Sequence, residues 1–437
     1  MKILAIETSC DDTGIAVLEV HPVKYRNAVN FSKKNLFDRV KGDKKSPVFK
    51  VLSNIVSSQI EVHKKYGGVY PALAKREHQK NLIPTLIKAL KQSRLINLKA
   101  LENVRRHNLE KKSKVMQKNL EREPELYKKT IPFLKKCEKP DIDLISVTNG
   151  PGLEPCLWVG VNFAKALSYF WDIPIVPVNH IEGHILVNFL QNKNIEFPSI
   201  ALVVSGGHTQ IILMEKIGKY KILGETRDDA AGECFDKCAK ILGLGYPGGP
   251  IIAETATKAR PSRVREGRAF AKLPRPMINT KDYDFSFSGL KTAVLYHHKK
   301  QPQKIQKSKK YIKQMCAEIQ QAIIDVLLKK TIKAVKDYSA KSLILGGGVS
   351  ANKELRRQFE RALNNSTAVE LFVPDANLST DNALMPAITG YFHRTKKIAW
   401  SRWLRHRGST MPISSSIPDK VGTKSGQNLE AKANLRI

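Results

Sequence analysis

The sequence predicts an α/β protein of two related lobes facing a cleft, and three observations carry that prediction. The chain has 437 residues, too many for one ordinary core, and 42% of them are hydrophobic, enough to fill two. Two stretches share one pattern about 200 residues apart: "KILAIETSCDDTGIAVLEV" (2–20) and "IALVVSGGHTQIILMEK" (200–216) each read strand, polar turn, strand. Each is followed by strand–helix material. The boundaries expected are a first lobe over 1–198, a second over 199–380, a closing helix over 381–400 that returns to the first lobe, and a basic, flexible tail over 401–437.

The elements follow in order. "PDIDLISVTNGPGL" (140–153) reads as a buried strand that stops at a Gly-Pro-Gly turn, and "PCLWVGVNFAKALSYF" (155–170) has the apolar spacing of a helix. "WDIPIVPV" is a strand, and Asn179 is a good N-cap for a helix starting at His180. In "DDAAGECFDKCAKILGLGYPGGP" (228–250) the apolar spacing predicts a helix over 235–242, with Asp236 and Lys237 near its start. "KSLILGGGVSANKELRRQFERAL" is strand, Gly-rich turn, helix. "VPDANLSTDNALMPAITGYFHR" supplies a strand end, a polar loop and the closing helix.

Three segments read as additions. Residues 21–50 are polar, and 91–137 hold 14 Lys/Arg against 5 Glu with helical spacing. The tail carries Trp400 and Trp403 among Arg402, Arg405 and Arg407, a composition suited to stacking on and pairing with RNA as well as to a solvated basic face. The chain as a whole has 74 Lys+Arg against 40 Asp+Glu, formally +34. Such an excess favours a polyanionic partner, because neutralising phosphates releases counterions. No uninterrupted apolar window of transmembrane length occurs, and "MKILAIETSC" reads as a first strand rather than a signal peptide. The six cysteines lack a disulfide-framework spacing, which predicts a reduced, cytoplasmic protein.

"VNHIEGH" (178–184) almost matches the zinc-protease signature H-E-x-x-H. His180 and His184 lie four apart, on one helical face, and can share a metal. They fall in the first turns of their helix, where the positive dipole end is expected to keep the rings neutral. The protease's general base, however, directly follows the first histidine. Glu182 comes two after it and points to the other side of the helix, so the peptidase reading fails. Asp381, in "STDNA", is the best candidate for a carboxylate third ligand; a pair of buried core histidines is the bland alternative. "VVSGGHT" (203–209), "GYPGGP" (245–250) and "LGGGVSAN" (345–352) put small residues where backbone N–H groups can approach a phosphate. With the acidic turn "SCDDTG" on the other lobe, they argue for a nucleotide in the cleft. No P-loop and no G-x-G-x-x-G after the first strand is present. Cys234 and Cys238, four apart, read as small packed hydrophobes.

Together "IETSCDDTGIAVL", "GGVYPALAKREH", "TNGPGL", "VGVNFAKAL", "VNHIEGH", "LVVSGGHTQ", "DDAAGECFDKCAKILGLGYPGGP", "FSFSGLKTAVL", "GGGVSANKELR" and "STDNALM" make the chain resemble the TsaD family of tRNA threonylcarbamoyladenosine transferases. The resemblance covers about 2–20, 51–92, 140–260 and 280–391. It implies an actin-like, sugar-kinase/heat-shock-ATPase type fold with duplicated subdomains. It implies transfer of the threonylcarbamoyl group from threonylcarbamoyl-AMP to N6 of adenosine 37 in tRNAs that read codons beginning with A, with release of AMP. Carried over, the metal ligands are His180, His184 and Asp381, holding iron(II) or zinc. The substrate adenylate falls to Val203, Val204, Ser205, Gly206, Gly207, Asp236, Gly249 and Asn352, and Asp11 is a catalytic or positioning carboxylate. TsaB- and TsaE-like partner proteins are implied as well. Two positions depart from the family pattern: Glu154-Pro155-Cys156 follows "GPGL" where small residues are usual, and Ala253 stands where many members have an aspartate. The competing readings are a sugar-kinase-like ATPase, which leaves His180 and His184 unexplained, and a noncatalytic RNA-binding scaffold, which leaves the site residues without a purpose.

Overall fold

The computed structural model describes residues 1–21, 47–97, 112–192, 194–259, 272–364, 369–398 and 429–437. The chain divides into two compact units, one of Met1–Gln59, Val69–Leu190 and Asp381–Arg436, the other of Ile60–Gly68, Gln191–Thr380 and Ile437.

The first unit is built on strands β1 (Lys2–Glu7), β2 (Asp12–His21), β3 (Val48–Ser58), β4 (Leu144–Gly150) and β5 (Ile175–Asn179), in the order β3-β2-β1-β4-β5. β1 pairs antiparallel with β2 (Ile6 opposite Ile15) and parallel with β4 (Ile6 beside Val147). β1 and β4 are buried along nearly their whole length, as central strands covered on both faces must be. Alternation assigns the faces. Leu4, Ile6, Ile145 and Val147 join the core formed with the helices Pro71–Gln92 and Glu154–Trp171. Ser146 faces the other way, where its hydroxyl donates to the Pro386 carbonyl of the closing helix Leu384–Phe392. Gly390 permits that contact, since a Cβ there would lie 2.6 Å from the Cβ of Ser146. Glu7, in phase with Ile3 and Ala5, therefore ends β1 on the side of the closing helix.

Two expected additions prove to be parts of this unit. Within 91–137, residues 112–119 and Pro124–Leu134 are helical, and Met116, Leu120, Leu126, Phe133, Leu134 and Cys137 enter the core. The expectation of a flexible 401–437 does not hold for its end. Leu429 is buried in the same core, Lys432 N donates to Asn149 O at 2.7 Å, and Gly152 N donates to Ala433 O at 3.1 Å. Backbone pairing and one apolar anchor are what fasten a segment that composition alone reads as loose. Trp400, Trp403 and the neighbouring arginines lie outside the described residues, as does 22–46.

The second unit repeats the plan. β6 (Ser199–Val204), β7 (Thr209–Lys216), β8 (Lys219–Glu225), β9 (Ser342–Gly346) and β10 (Glu370–Phe372) run in the order β10-β9-β6-β7-β8. β6 pairs antiparallel with β7 and parallel with β9, as β1 does with β2 and β4. A hairpin, a third antiparallel strand and two parallel strands thus recur in each unit, which is the duplicated core of the actin-like fold. The buried stripe of the helix Lys309–Asp337 packs with Phe285, Phe287 and Phe359. Cys234 and Cys238 are buried in this core, as small hydrophobes. Among the described residues no helix is long and apolar enough to cross a membrane.

Candidate metal centre

Asn179 ends β5, and its side-chain oxygen accepts from the N–H groups of Ile181 (2.8 Å) and Glu182 (3.1 Å), capping the helix His180–Leu186. Every residue of that helix is buried. His180 and His184 stand on one face with ring centroids 4.6 Å apart. Asp381, which precedes the closing helix, places Oδ1 3.3 Å from His184 Nε2 and 3.6 Å from His180 Nε2. One ligand atom from each of the three lies within 4.8 Å of the others. Two imidazoles and a carboxylate are a donor set for a transition metal or zinc. The ring of His184 supports the fit: among the described residues both of its buried nitrogens lack a hydrogen bond, Nε2 having only the Asp381 carboxylate at 3.3 Å. A buried imidazole left so is costly, and a cation at Nε2 relieves one of its two nitrogens.

Outer contacts hold these side chains. Glu7 is wholly buried. Its carboxylate accepts from Ser9 N (2.8 Å) and from the Thr148 hydroxyl, and lies 3.5 Å from His180 Nδ1, with Ser9 Oγ 3.2 Å from the same nitrogen. Held at Nδ1, His180 presents Nε2 towards Asp381 and His184, the carboxylate–histidine arrangement of metal sites. Glu182 pairs with His393, both carboxylate oxygens lying within 2.9 Å of His393 Nε2. The glutamate in the wrong place for a protease base thus ties the histidine helix to the end of the closing helix.

The electrostatics correct one expectation. Burial opposes the charge of His180, but the carboxylates of Asp381 and Glu7 outweigh it and raise its pKa to about 9. The helix dipole is the weaker effect here. His184 does follow the expectation, lowered chiefly by burial. Burial works against ionised Glu7 also, yet its pairing with His180 holds it below the usual carboxylate range. Asp12 is raised to about 7, by burial first and then by Asp381, Asp11 and Glu7. Asp11, in the β1–β2 turn, accepts the N–H of Gln59 through its carbonyl at 3.1 Å.

The residues assigned to the adenylate all belong to the second unit. Val203 and Val204 end β6, and Ser205-Gly206-Gly207 form the turn into β7. Space is open where a Cβ on Gly206 or Gly207 would stand. The following helix spans Ala231–Ile241, four residues earlier than the apolar spacing predicts. Its start is fixed by polar contacts, Ala231 N donating to Thr209 Oγ1 and Glu233 reaching back to Ala230 N. Asp236 accordingly sits mid-helix, accepting from Gly248 N at 2.7 Å, with Gly249 next in the helix Gly248–Thr257. Asn352 caps the helix Lys353–Asn364, accepting from Glu354 N and Leu355 N. Asp236 and Asn352 therefore both have structural work. Ala253 lies on the helix Gly248–Thr257. Glu154-Pro155-Cys156 opens the helix Glu154–Trp171, with the acid and proline in the first turn, where both are favoured.

Ser9 and Asp12 belong to the acidic turn "SCDDTG" but have no individual role in the sequence reading, and Glu7, Thr148 and His393 have no counterpart in it. The sequence signals for them are the acidic turn and, at Glu7, an acidic residue closing an otherwise apolar strand.

The family model described as "TsaD: tRNA N6-adenosine threonylcarbamoyltransferase" matches residues 50–104 and 126–388. Proteins named tRNA N6-adenosine threonylcarbamoyltransferase are similar over nearly the whole chain. That of Persephonella marina is 41% identical over 394 residues, 90% of this chain and 90% of its own. That of Thermosipho melanesiensis is 41% identical over 391 residues, 90% and 94% of the two chains, and that of Syntrophomonas wolfei 38% over 391 residues, 90% and 92%.

Proposed function

The chain belongs to the TsaD family of tRNA N6-adenosine threonylcarbamoyltransferases, and from that premise we propose that it transfers the threonylcarbamoyl group of threonylcarbamoyl-AMP to N6 of adenosine 37 in tRNAs reading codons that begin with A. The observation that carries the proposal is the convergence of His180, His184 and Asp381 in a chain matched by the family over most of its length. The N6 amine attacks the carbamoyl carbon, a C–N bond forms, the C–O bond to the phosphate breaks, AMP leaves, and one proton leaves the amine.

His180, His184 and Asp381 hold the metal, iron(II) in this reading with zinc as the second choice. When bound, it supplies a Lewis acid and a template for the carbonyl oxygen. Glu7 keeps His180 oriented through Nδ1, and burial keeps His184 an unprotonated donor. Asp11 positions the attacking amine, and Asp12 lies beside it in the same turn. The amides of Gly206 and Gly207, with Val203, Val204, Ser205, Asp236, Gly249 and Asn352, are the group assigned to the AMP moiety, where N–H donors stabilise the leaving phosphate. TsaB- and TsaE-like proteins are the proposed partners. Six free cysteines and a tRNA substrate suit a cytoplasmic setting.

The test incubates the purified chain with threonylcarbamoyl-AMP and unmodified tRNA, alone and with the partner proteins. Equal amounts of AMP and N6-threonylcarbamoyladenosine are expected. Their absence under every combination would refute the proposal.

A further inference from the structure

The helical insert sorts its charges. On 112–119, Lys114 and Lys118 are exposed, opposite buried Met116 and Leu120. On Pro124–Leu134 and its end, Lys128, Lys129, Lys135 and Lys136 are exposed, opposite buried Leu126, Thr130, Phe133 and Leu134. The spacing is that of one outer helical stripe.

The acids behave differently. Glu123 is fully buried between the two helices, accepting from Asn162 Nδ2 at 3.0 Å with Lys75 Nζ 4.0 Å away. Glu125 lies 3.7 Å from Arg76, and of the three glutamates in 112–137 Glu121 alone is exposed. Core anchors and the inward glutamate fasten the insert, so its cations are presented on a fixed frame. The family match breaks over 105–125, which holds the first of these helices, and resumes at 126 within the second.

We propose that the outer face of this insert binds the sugar–phosphate backbone of the tRNA substrate; the inference rests on the transferase reading above. Charge complementarity selects the occupant: a lysine stripe on a chain of formal charge +34 fits a polyanion, and the substrate is one. The lysines act as point charges, adding affinity and no base specificity.

The test replaces Lys128, Lys129, Lys135 and Lys136 together by glutamine in the full chain, with its partners present. Affinity for unmodified tRNA is measured across a salt series. Each lost phosphate contact lowers the slope of log affinity against log salt by about 0.7–0.9, so a slope shallower by about 3 is expected. Affinity at fixed salt should fall by about tenfold or more, with kcat at saturating tRNA unchanged. A control replaces Lys299, Lys300, Lys304 and Lys307, exposed lysines of the second unit, and should move the slope by less than about one. A similarly small change in the insert variant, or an equal change in the control, overturns the surface while leaving the transferase reading intact. A parent chain with no tRNA affinity overturns both.

Discussion

His180 and His184 share one helix and one carboxylate, and differ in charge because their remaining neighbours differ. His180 has Glu7 at its second nitrogen, whereas at His184 burial and the neighbouring His180 outweigh the pull of Asp381 and the weaker pull of Glu7. One ring is thus held by an outer carboxylate and the other is left open for a cation. Lys165 shows how strongly burial acts elsewhere in the same unit. It is 1% exposed, its Nζ lies 5.3 Å from the Trp158 ring centroid, and desolvation lowers its pKa to about 8 despite Glu430 and Glu123. The sign follows by linkage. Between pH 8 and the unfolded value near 10.5 the unfolded chain binds the extra proton, so stability rises with pH across that window. At 1.36 kcal/mol per pKa unit the gain is about 3 kcal/mol. Denaturant titrations of the parent and of Lys165→Met, compared at pH 8 and pH 10.5, should show this gain in the parent only; parallel curves would contradict it.

At the scale of elements, the site depends on how the histidine helix is fastened. Asn179 fixes its start, and the Glu182–His393 pair joins it to the end of the closing helix, whose beginning follows Asp381. Glu182→Ala strands buried His393 and loosens the separation between Asp381 and the two histidines. We expect metal affinity to fall by about tenfold or more, by analogy with lost outer-shell partners, with Glu182→Gln losing less. Competition against a chelator measures both, and unchanged affinity in Glu182→Ala would contradict the tether. Much of this was legible in the sequence. The Asn179 cap and the i, i+4 histidines are local chemistry, and the strand–turn–strand pattern of both hairpins is periodicity. The missed features depend on the fold. Glu7 needs the strand face to be known, and His393 lies 211 residues from its partner. The helix at Ala231 begins on contacts from Thr209 and Glu233 rather than on apolar spacing. The 91–137 segment read as a solvated addition because its few apolar residues are diluted by lysine, yet among its described residues those are the ones that pack.

At the scale of the molecule, each unit carries the same five-stranded plan and a different part of the proposed chemistry. The first holds His180, His184 and Asp381; the second holds the glycine turns. The duplicated sheet supplies the frame, and the residues that distinguish the two units sit at strand ends and in the turns that follow them. Acyl transfer by this chain is proposed to depend on one metal held by His180, His184 and Asp381. Titrating iron(II) into the metal-free chain, with partners, threonylcarbamoyl-AMP and tRNA present, tests it most directly. Bound metal and N6-threonylcarbamoyladenosine are measured together. Product formation should rise in proportion to bound metal and level off at one ion per chain, while His184→Ala and Asp381→Asn retain neither metal nor product but bind tRNA as the parent does. Full product formation by the metal-free chain under chelation, or by His184→Ala, would contradict the account.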